Sequence, residues 1–259
     1  MNNCTIFISS ADSYSDIWDL FFDLFKKNWP EFDGEIVLNT QEKEYSYPGL
    51  NIVCTRVGHL NGFGRTLRAG LDYVRTEHVL FFLIDFLLTG KTNNTKLEEY
   101  YSYFVEKNLD SLCLISKNYP NKACQDNPEI SRYMPSFHFF SYQIAFWKKD
   151  MLKEMALPHE NPWTSEWYGN KRALKASVDI RMLNNEANVI FVYNHTGCLH
   201  RGKWMPDAIE YLKGHNYKVD YSKRGIYKEE RRNIMELIIQ KLTFVWHGIK
   251  GSYWHKVKR

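Results

Sequence analysis

The sequence predicts an α/β fold: a Rossmann-like mixed sheet with flanking helices, folded as a single globular domain and followed by a C-terminal helical tail. Two observations predict the sheet. Short apolar runs alternate with stretches of helical period through the first half, and one run, His78-Val-Leu-Phe-Phe-Leu-Ile-Asp-Phe-Leu-Leu-Thr-Gly90, is apolar on successive residues, as a strand buried on both faces is. A third observation points to a site: that run drives a lone carboxylate, Asp85, out of its apolar end. An unpaired carboxylate inside an apolar layer costs roughly several kcal/mol, so Asp85 is expected at the strand's C-terminal end, facing a ligand, cation or solvent. In open α/β sheets that edge is where ligands bind.

Thr5 to Ser9 reads as the first strand, and Ser10-Ala-Asp-Ser-Tyr-Ser15 as the loop leaving it. A helix is expected next: Ser13 and Asp16 stand at capping-box spacing, and Ile17, Leu20, Phe21, Leu24 and Phe25 repeat at helical period until Trp29-Pro30 ends the pattern. Strands are expected at Glu35–Leu38 and Asn51–Val57, then a helix over Gly64–Arg75 with Leu67, Leu71 and Val74 inward. The run 79–84 is a buried strand of the parallel type; a helix near Lys96–Lys107 and a strand at Ser111–Ile115 close a βαβ half near residue 116. Asn118–Pro135, rich in Asn, Pro and Lys, reads as loop. A strand follows around Phe137–Phe146, then helices from Lys148-Lys-Asp-Met151 and from Pro162 to Lys175. Val189–Tyr193 is expected to return as a strand, with Arg201-Gly-Lys-Trp204 on the loop after it.

A chain of 259 residues needs no covalent staples. Its cysteines, Cys4, Cys54, Cys113, Cys124 and Cys198, are odd in number and lack C-x-x-C spacing; they indicate neither a zinc site nor a disulfide framework and read as reduced, buried thiols. Aromatic residues reach 16%, a level that suits cores and also stacking on sugars or bases. A formal charge of +4 is too mild for a nucleic-acid footprint, so no nucleic-acid partner is expected and small anions fit better. The N-terminus lacks the basic and apolar regions of a signal peptide, and no apolar stretch reaches the ~20 residues that cross a bilayer, so a cytoplasmic location is expected. Lys241 to Arg259 mixes Trp, Tyr and Phe with Lys and Arg. Peripheral contact with the inner membrane face and a helix docked on the body fit that tail equally.

Around Ser9, Ser10, Ala11 and Asp12, small side chains let a nucleotide approach the backbone, and a carboxylate can accept from a base N–H or a ribose hydroxyl; an ordinary turn and helix cap uses the same residues. Arg65, following Asn61-Gly-Phe-Gly64, is placed either to meet a diphosphate or to sit solvated on its helix. Glu160 and Glu166 are candidate general bases. Glu166 lies about one turn inside the helix begun by Pro162, where a glutamate also simply favours the helix dipole. Trp163 and Trp167 can stack on a sugar face, with one of them expected in the core. His200-Arg-Gly-Lys-Trp204 joins a potential ligand, two cations (Arg201 and Lys203) and a glycine, the chemistry a late loop needs to close over a diphosphate.

Three separated stretches carry a family resemblance. They are Phe7-Ile-Ser-Ser-Ala-Asp-Ser-Tyr-Ser-Asp-Ile-Trp18 with Val37-Leu-Asn-Thr40, then Gly64-Arg65 with Leu83-Ile-Asp-Phe-Leu87, and Glu160-Asn-Pro-Trp-Thr-Ser-Glu166 with Gly202-Lys-Trp204. Over residues 5–213 the chain thereby resembles bacterial surface-polysaccharide glycosyltransferases of the GT-A type, the kind that builds capsule and O-antigen. The resemblance implies a GT-A-like catalytic domain at 1–213, divided into a nucleotide-binding half (1–116) and an acceptor-side half (117–213), with a basic aromatic extension at 214–259. It implies a hexosyltransferase-like enzyme whose nucleotide-sugar donor contacts Ser9, Ser10, Ala11, Asp12, Arg65, Asp85, Arg201 and Lys203. A divalent cation, Mn or Mg, would be held by Asp85 with the donor's diphosphate and His200 as co-ligands. Glu166, with Glu160 as second candidate, would be the base of an inverting transfer to a glycan or lipid-linked oligosaccharide acceptor, and Trp163 and Trp167 would stack on sugar. Relatives read Asp-Asp-Tyr-Phe where this chain has Ile84-Asp85-Phe86-Leu87. One acid is missing, which weakens the metal site and keeps open a catalytically weakened relative that binds nucleotide or sugar. A nucleotidyltransferase on a similar sheet is disfavoured, because Ser9-Ser-Ala-Asp12 is not a Gly-rich phosphate loop with a basic residue.

Overall fold

The computed structural model describes residues 1, 3–116, 121–133, 140–185, 187–229 and 241–251. β1 (Cys4–Ser9) opens with five consecutive buried residues after Cys4, the pattern of a strand covered on both faces. A 3₁₀ turn over Asp12–Ile17 leads into α1 (Trp18–Asn28), which buries Trp18, Phe21, Phe22, Leu24 and Phe25. The capping box expected from Ser13 does not form, because Asp12–Ile17 is already wound as 3₁₀ helix and α1 begins without a side-chain cap. β2 (Glu35–Leu38), β3 (Asn51–Cys54), α2 (Phe63–Leu71), β4 (His78–Leu83), α3 (Asn94–Glu106) and β5 (Ser111–Ser116) then alternate as the sequence predicts.

The second half departs more. β6 (Asn121–Ala123) and β7 (Ile130–Tyr133) form a hairpin at the sheet edge where loop was expected; a polar segment is at home on an edge strand. β8 (Ala145–Lys148) precedes α4 (Lys149–Met155), while residues 137–139 of the strand expected around Phe137–Phe146 lie outside the described residues. α5 (Pro162–Lys175) has the bounds its Pro and periodicity predict, closed by a reciprocal cap: Asn161 Oδ1 accepts from the Thr164 N–H at 2.9 Å and Thr164 Oγ1 from the Asn161 N–H at 3.1 Å. β9 (Ile180–Leu183), β10 (Leu199–His200), β11 (Lys203–Trp204) and α6 (Pro206–Gly214) follow, and residues 241–251 are helical. Val189–Tyr193 does not enter the sheet as expected. It runs against the chain after β4, where Thr89 N–H donates to Val192 O at 2.7 Å and Asn93 N–H to Ile190 O at 3.0 Å.

The strand order is β3-β2-β1-β4-β8-β5-β9-β7-β6. β1, β2, β3 and β4 are mutually parallel, and β8 runs antiparallel between β4 and β5. From β1 the chain first builds outward through β2 and β3, then crosses back to lay β4 on the other flank of β1. Helices on opposite faces make both crossovers. Phe82 of β4 meets Phe25 of α1 edge-on at 6.4 Å, whereas its neighbour Phe81 stacks on Phe7 at 6.3 Å, on the face where Gly70 of α2 packs against Phe7. The gap between β1 and β4 is therefore the topological switch point, where an open α/β sheet leaves a crevice at the strands' C-terminal ends. The reversal of β8 matters for the same reason: its start lies at that edge, so Tyr142 and Gln143 arrive beside the crevice.

α2, α4 and α5 pack together on one side of the crevice, and Gly64 is the tightest point. Its N–H donates to Glu160 O at 3.1 Å, and a Cβ there would lie 1.9 Å from Leu157 O. Gly64→Ala is accordingly expected to cost about 1–3 kcal/mol in urea denaturation, because the obstacle is backbone and has no rotamer to change; unchanged stability would show that α2 does not abut the 157–160 turn.

Candidate active site

A cavity of about 520 Å³ occupies the switch point. Ser9, Ser10 and Ala11 reach it from the end of β1, and Leu83, Ile84, Asp85 and Phe86 from the end of β4. Ser9 and Leu83 are register partners, which sets these two strand ends side by side. Phe63 and Thr66 of α2 and Trp163 and Glu166 of α5 form one wall; Leu199, His200, Arg201 and Gly202 of the β10–β11 hairpin form another. Of the residues expected from sequence, Ser9, Ser10, Ala11, Asp85, Trp163, Glu166, His200 and Arg201 thus converge on one space.

Asp85 sits two residues past the end of β4. Its backbone O accepts from the Cys198 N–H at 2.8 Å, and its carboxylate lies against Gly197, where a Cβ would come within 2.4 Å of Oδ2. Gly197 has φ +80°, so both its backbone and its missing side chain make room for the acid. Apart from its own N–H, no described residue gives the Asp85 carboxylate a hydrogen bond or ion pair, and burial raises its pKa from 3.8 to about 7. That charge in turn helps burial raise the Tyr14 hydroxyl's pKa across the cavity. Among the described residues no three His, Cys, Asp or Glu side chains come together. A divalent ion at Asp85 and His200 would therefore take most of its oxygen ligands from a bound diphosphate and water, and the His200 ring packs on Tyr227 at 4.4 Å.

Several expected contacts are corrected by what the side chains already do. The Asp12 carboxylate accepts from the backbone N–H groups of Gln41 (2.8 Å), Glu42 (2.9 Å) and Lys43 (3.1 Å). Partial burial raises its pKa, these bonds outweigh that, and it lies below the usual range. Asp12 therefore staples the 41–43 loop to the end of β1 instead of meeting a base or ribose, and it is Gln41 that reaches the cavity. Glu160 is buried and paired bidentately with Arg172, at 2.7 Å for both oxygens, which removes it as a base. Arg65 is exposed and does not line the cavity, because Gly64 beside it is the residue turned onto the 157–160 turn. Lys203 is exposed outside the cavity, one residue beyond the hairpin turn. That turn is tight, with Arg201 and Gly202 both at positive φ (51° and 78°), as a two-residue hairpin requires. Trp167 also lies outside the cavity, edge-on to Phe244 at 6.3 Å, and neither it nor Trp163 is in the core. Glu166 remains, its Oε1 accepting from the Tyr142 N–H at 2.8 Å.

Sequence reasoning missed Arg224. Its guanidinium donates to both oxygens of Asp16 and to Ser13 O, reaches Gly202 O at 3.4 Å, and lies over the Tyr14 ring at 4.8 Å. It thereby ties the hairpin to the 3₁₀ turn on either side of the cavity mouth. Asn39 was also missed as a lining residue. It is fixed by Thr55, which donates to its Oδ1 at 2.9 Å, and by Thr66 O, which accepts from its Nδ2 at 3.2 Å.

A sheet of this order with its cavity at the switch point defines a doubly wound α/β protein with a mixed sheet. No protein-family model matches the sequence, and no curated protein matches it. Solved structures are similar in architecture. S. aureus TarS 1-349 aligns at 15% identity and TM-score 0.48 over 86% of this chain and 68% of that one, and the chain spans 36% of the longer TarS chain. The mannosyltransferase PcManGT from Pyrobaculum calidifontis, solved with GDP-Man and Mn2+, aligns at 11% identity and TM-score 0.47 over 77% of this chain and 58% of that one. The bifunctional IspDF from Campylobacter jejuni aligns at 12% and 0.42 over 74% and 52%. Likenesses this distant carry no activity across.

The raised pKa of Asp85 makes the folded protein hold a proton that the unfolded chain releases, so stability falls as pH rises from about 4 to about 7 and is level above that. Asp85→Asn escapes this loss. Urea denaturation is expected to show it equal to the wild type near pH 4 and more stable by about 2–4 kcal/mol at pH 8; equal stabilities at pH 8 would mean that the carboxylate is fully solvated.

Proposed function

We propose that the chain is a glycosyltransferase that binds a nucleotide-sugar donor in the switch-point cavity and transfers the sugar, with inversion, to a hydroxyl of a glycan or lipid-linked oligosaccharide. One observation carries this: two carboxylates, Asp85 just past β4 and Glu166 on α5, line the same cavity over the ends of β1 and β4. The nucleotide would lie over Ser9–Ala11, where the first strand ends in small residues, with Asn39 and Gln41 beside it. Arg201 at the hairpin tip supplies positive charge for the diphosphate. Asp85 would face the diphosphate and donor sugar, accepting from a sugar hydroxyl or, when protonated, donating to a phosphate oxygen. No step is assigned to a metal.

In the transfer, the acceptor oxygen forms a bond to the anomeric carbon while the bond from that carbon to the phosphate oxygen breaks, the electron pair leaving with the nucleoside diphosphate. Glu166 takes the acceptor proton. α5 holds it rigidly, and the hydrogen bond from Tyr142 N–H to one carboxylate oxygen fixes its direction. Trp163, exposed at the rim of the same wall, offers a face on which an acceptor sugar can stack. A nucleotide-sugar binder without turnover is the second candidate, favoured by Ile84, a buried apolar residue on the cavity wall at the position of the missing acid.

UDP-GlcNAc and GDP-mannose, each with and without Mn2+, serve as probes. At least one is expected to raise the melting temperature of the wild type, with Arg201→Ala weakening affinity about tenfold and Lys203→Ala leaving it unchanged. With a turned-over acceptor, Glu166→Gln should lower kcat by about a hundredfold or more while donor affinity persists. Binding without turnover on any acceptor selects the binding module, and the absence of any nucleotide-dependent shift removes both candidates.

A further inference from the structure

The helical residues 241–251 are already docked by one side. Tyr168 of α5 donates its hydroxyl to Phe244 O at 2.6 Å, the Tyr168 ring fills the place a Cβ on Gly248 would take, and His247 stacks on His159 at 5.6 Å. The opposite side carries a second apolar stripe, Leu242, Val245, Trp246 and Ile249, at i, i+3, i+4 and i+7, each 56–63% exposed. On the docked side, Trp167 of α5 stands edge-on to Phe244 at 6.3 Å, so the exposed stripe faces away from α5. Large apolar side chains gathered in one face of this kind mark an interaction surface.

Its charge chooses the partner. Lys241 and Lys250 flank the stripe, Lys250 lying over the Trp246 ring at 5.0 Å. From Lys241 to Arg259 the sequence holds five Lys or Arg and no Asp or Glu. Tryptophan and aliphatic side chains flanked by Lys241 and Lys250 match the headgroup–acyl boundary of an anionic bilayer. A second copy of the chain is a poorer fit, since two-fold pairing through this face would bring the same cations together. Among the described residues no helix is long and apolar enough to cross a membrane, so the contact is one of surface.

We propose that the protein docks on an anionic bilayer through the outer face of residues 241–251, the side of that helix turned away from α5. The docking stands independently of the transfer reaction. Trp246 and Ile249 insert their side chains among the lipid chains, the lysines pair with headgroups, and α5 orients the body.

Flotation of the full chain with vesicles tests it. The wild type should float with phosphatidylcholine–phosphatidylglycerol vesicles, weakly with pure phosphatidylcholine, and less as salt rises. Trp246→Glu with Ile249→Glu, and separately Lys241→Glu with Lys250→Glu, should each lower binding about tenfold or more, with unchanged melting temperature because these side chains are exposed. Brominated lipid should quench tryptophan fluorescence of the wild type, a readout that needs no variant. No flotation of the wild type, no quenching, equal flotation of the Trp246→Glu/Ile249→Glu variant, or a concentration-dependent dimer abolished by the same variant would each overturn the proposal.

Discussion

The partial withdrawal of one carboxylate from water shapes the cavity of this molecule. Half-buried Asp85 leaves β4 where the sheet changes direction of growth, and no described side chain neutralises it. An acid withdrawn from water is normally paired or replaced, because its desolvation is not repaid by packing. Here the neighbours make space instead: Gly197 withdraws its side chain and adopts a left-handed backbone, and the cavity stays open above. Instability retained at one point, with the surroundings shaped to tolerate it, is what a ligand-binding position looks like before its ligand arrives.

The other acids in the same region show the contrast. Asp12 spends its carboxylate on three backbone N–H groups, and Glu160 is locked by Arg172 under α5. Both are braces. Asp12 fixes the loop that delivers Gln41; Glu160 fixes the turn against which α2 rests and from which α5 starts. Removing Arg172 would strand a buried charge, the costly way to break such a pair. The loop and turn that shape the cavity walls are thus held by these two acids from outside its lining.

Much of this was legible in the sequence, and the remainder has a physical reason. Strand–helix alternation through Ser116 followed from apolar period, and the place of Asp85 followed from the cost of its charge. α5 was readable to its ends because Pro162 starts it and helical period carries it to Lys175. What periodicity does not contain is which carboxylate a distant backbone will occupy. Asp12 and Glu160 looked as available as Glu166 because their partners lie 12 to 31 residues away and meet them only in the fold. Other elements failed for another reason: β9, Ile-Arg-Met-Leu, interrupts its apolar run with the buried Arg181, and the β6–β7 hairpin is polar, so neither reads as an apolar strand. The Val189–Tyr193 run has strand composition, yet its hydrogen bonds go to the loop after β4.

Arg224 joins Asp16 across 208 residues of chain. During synthesis the sheet from β1 to β4 can be assembled long before that partner leaves the ribosome, so a growing polypeptide would present the crevice without its clasp. The mouth of the crevice would then be fastened only late, once translation has passed Arg224.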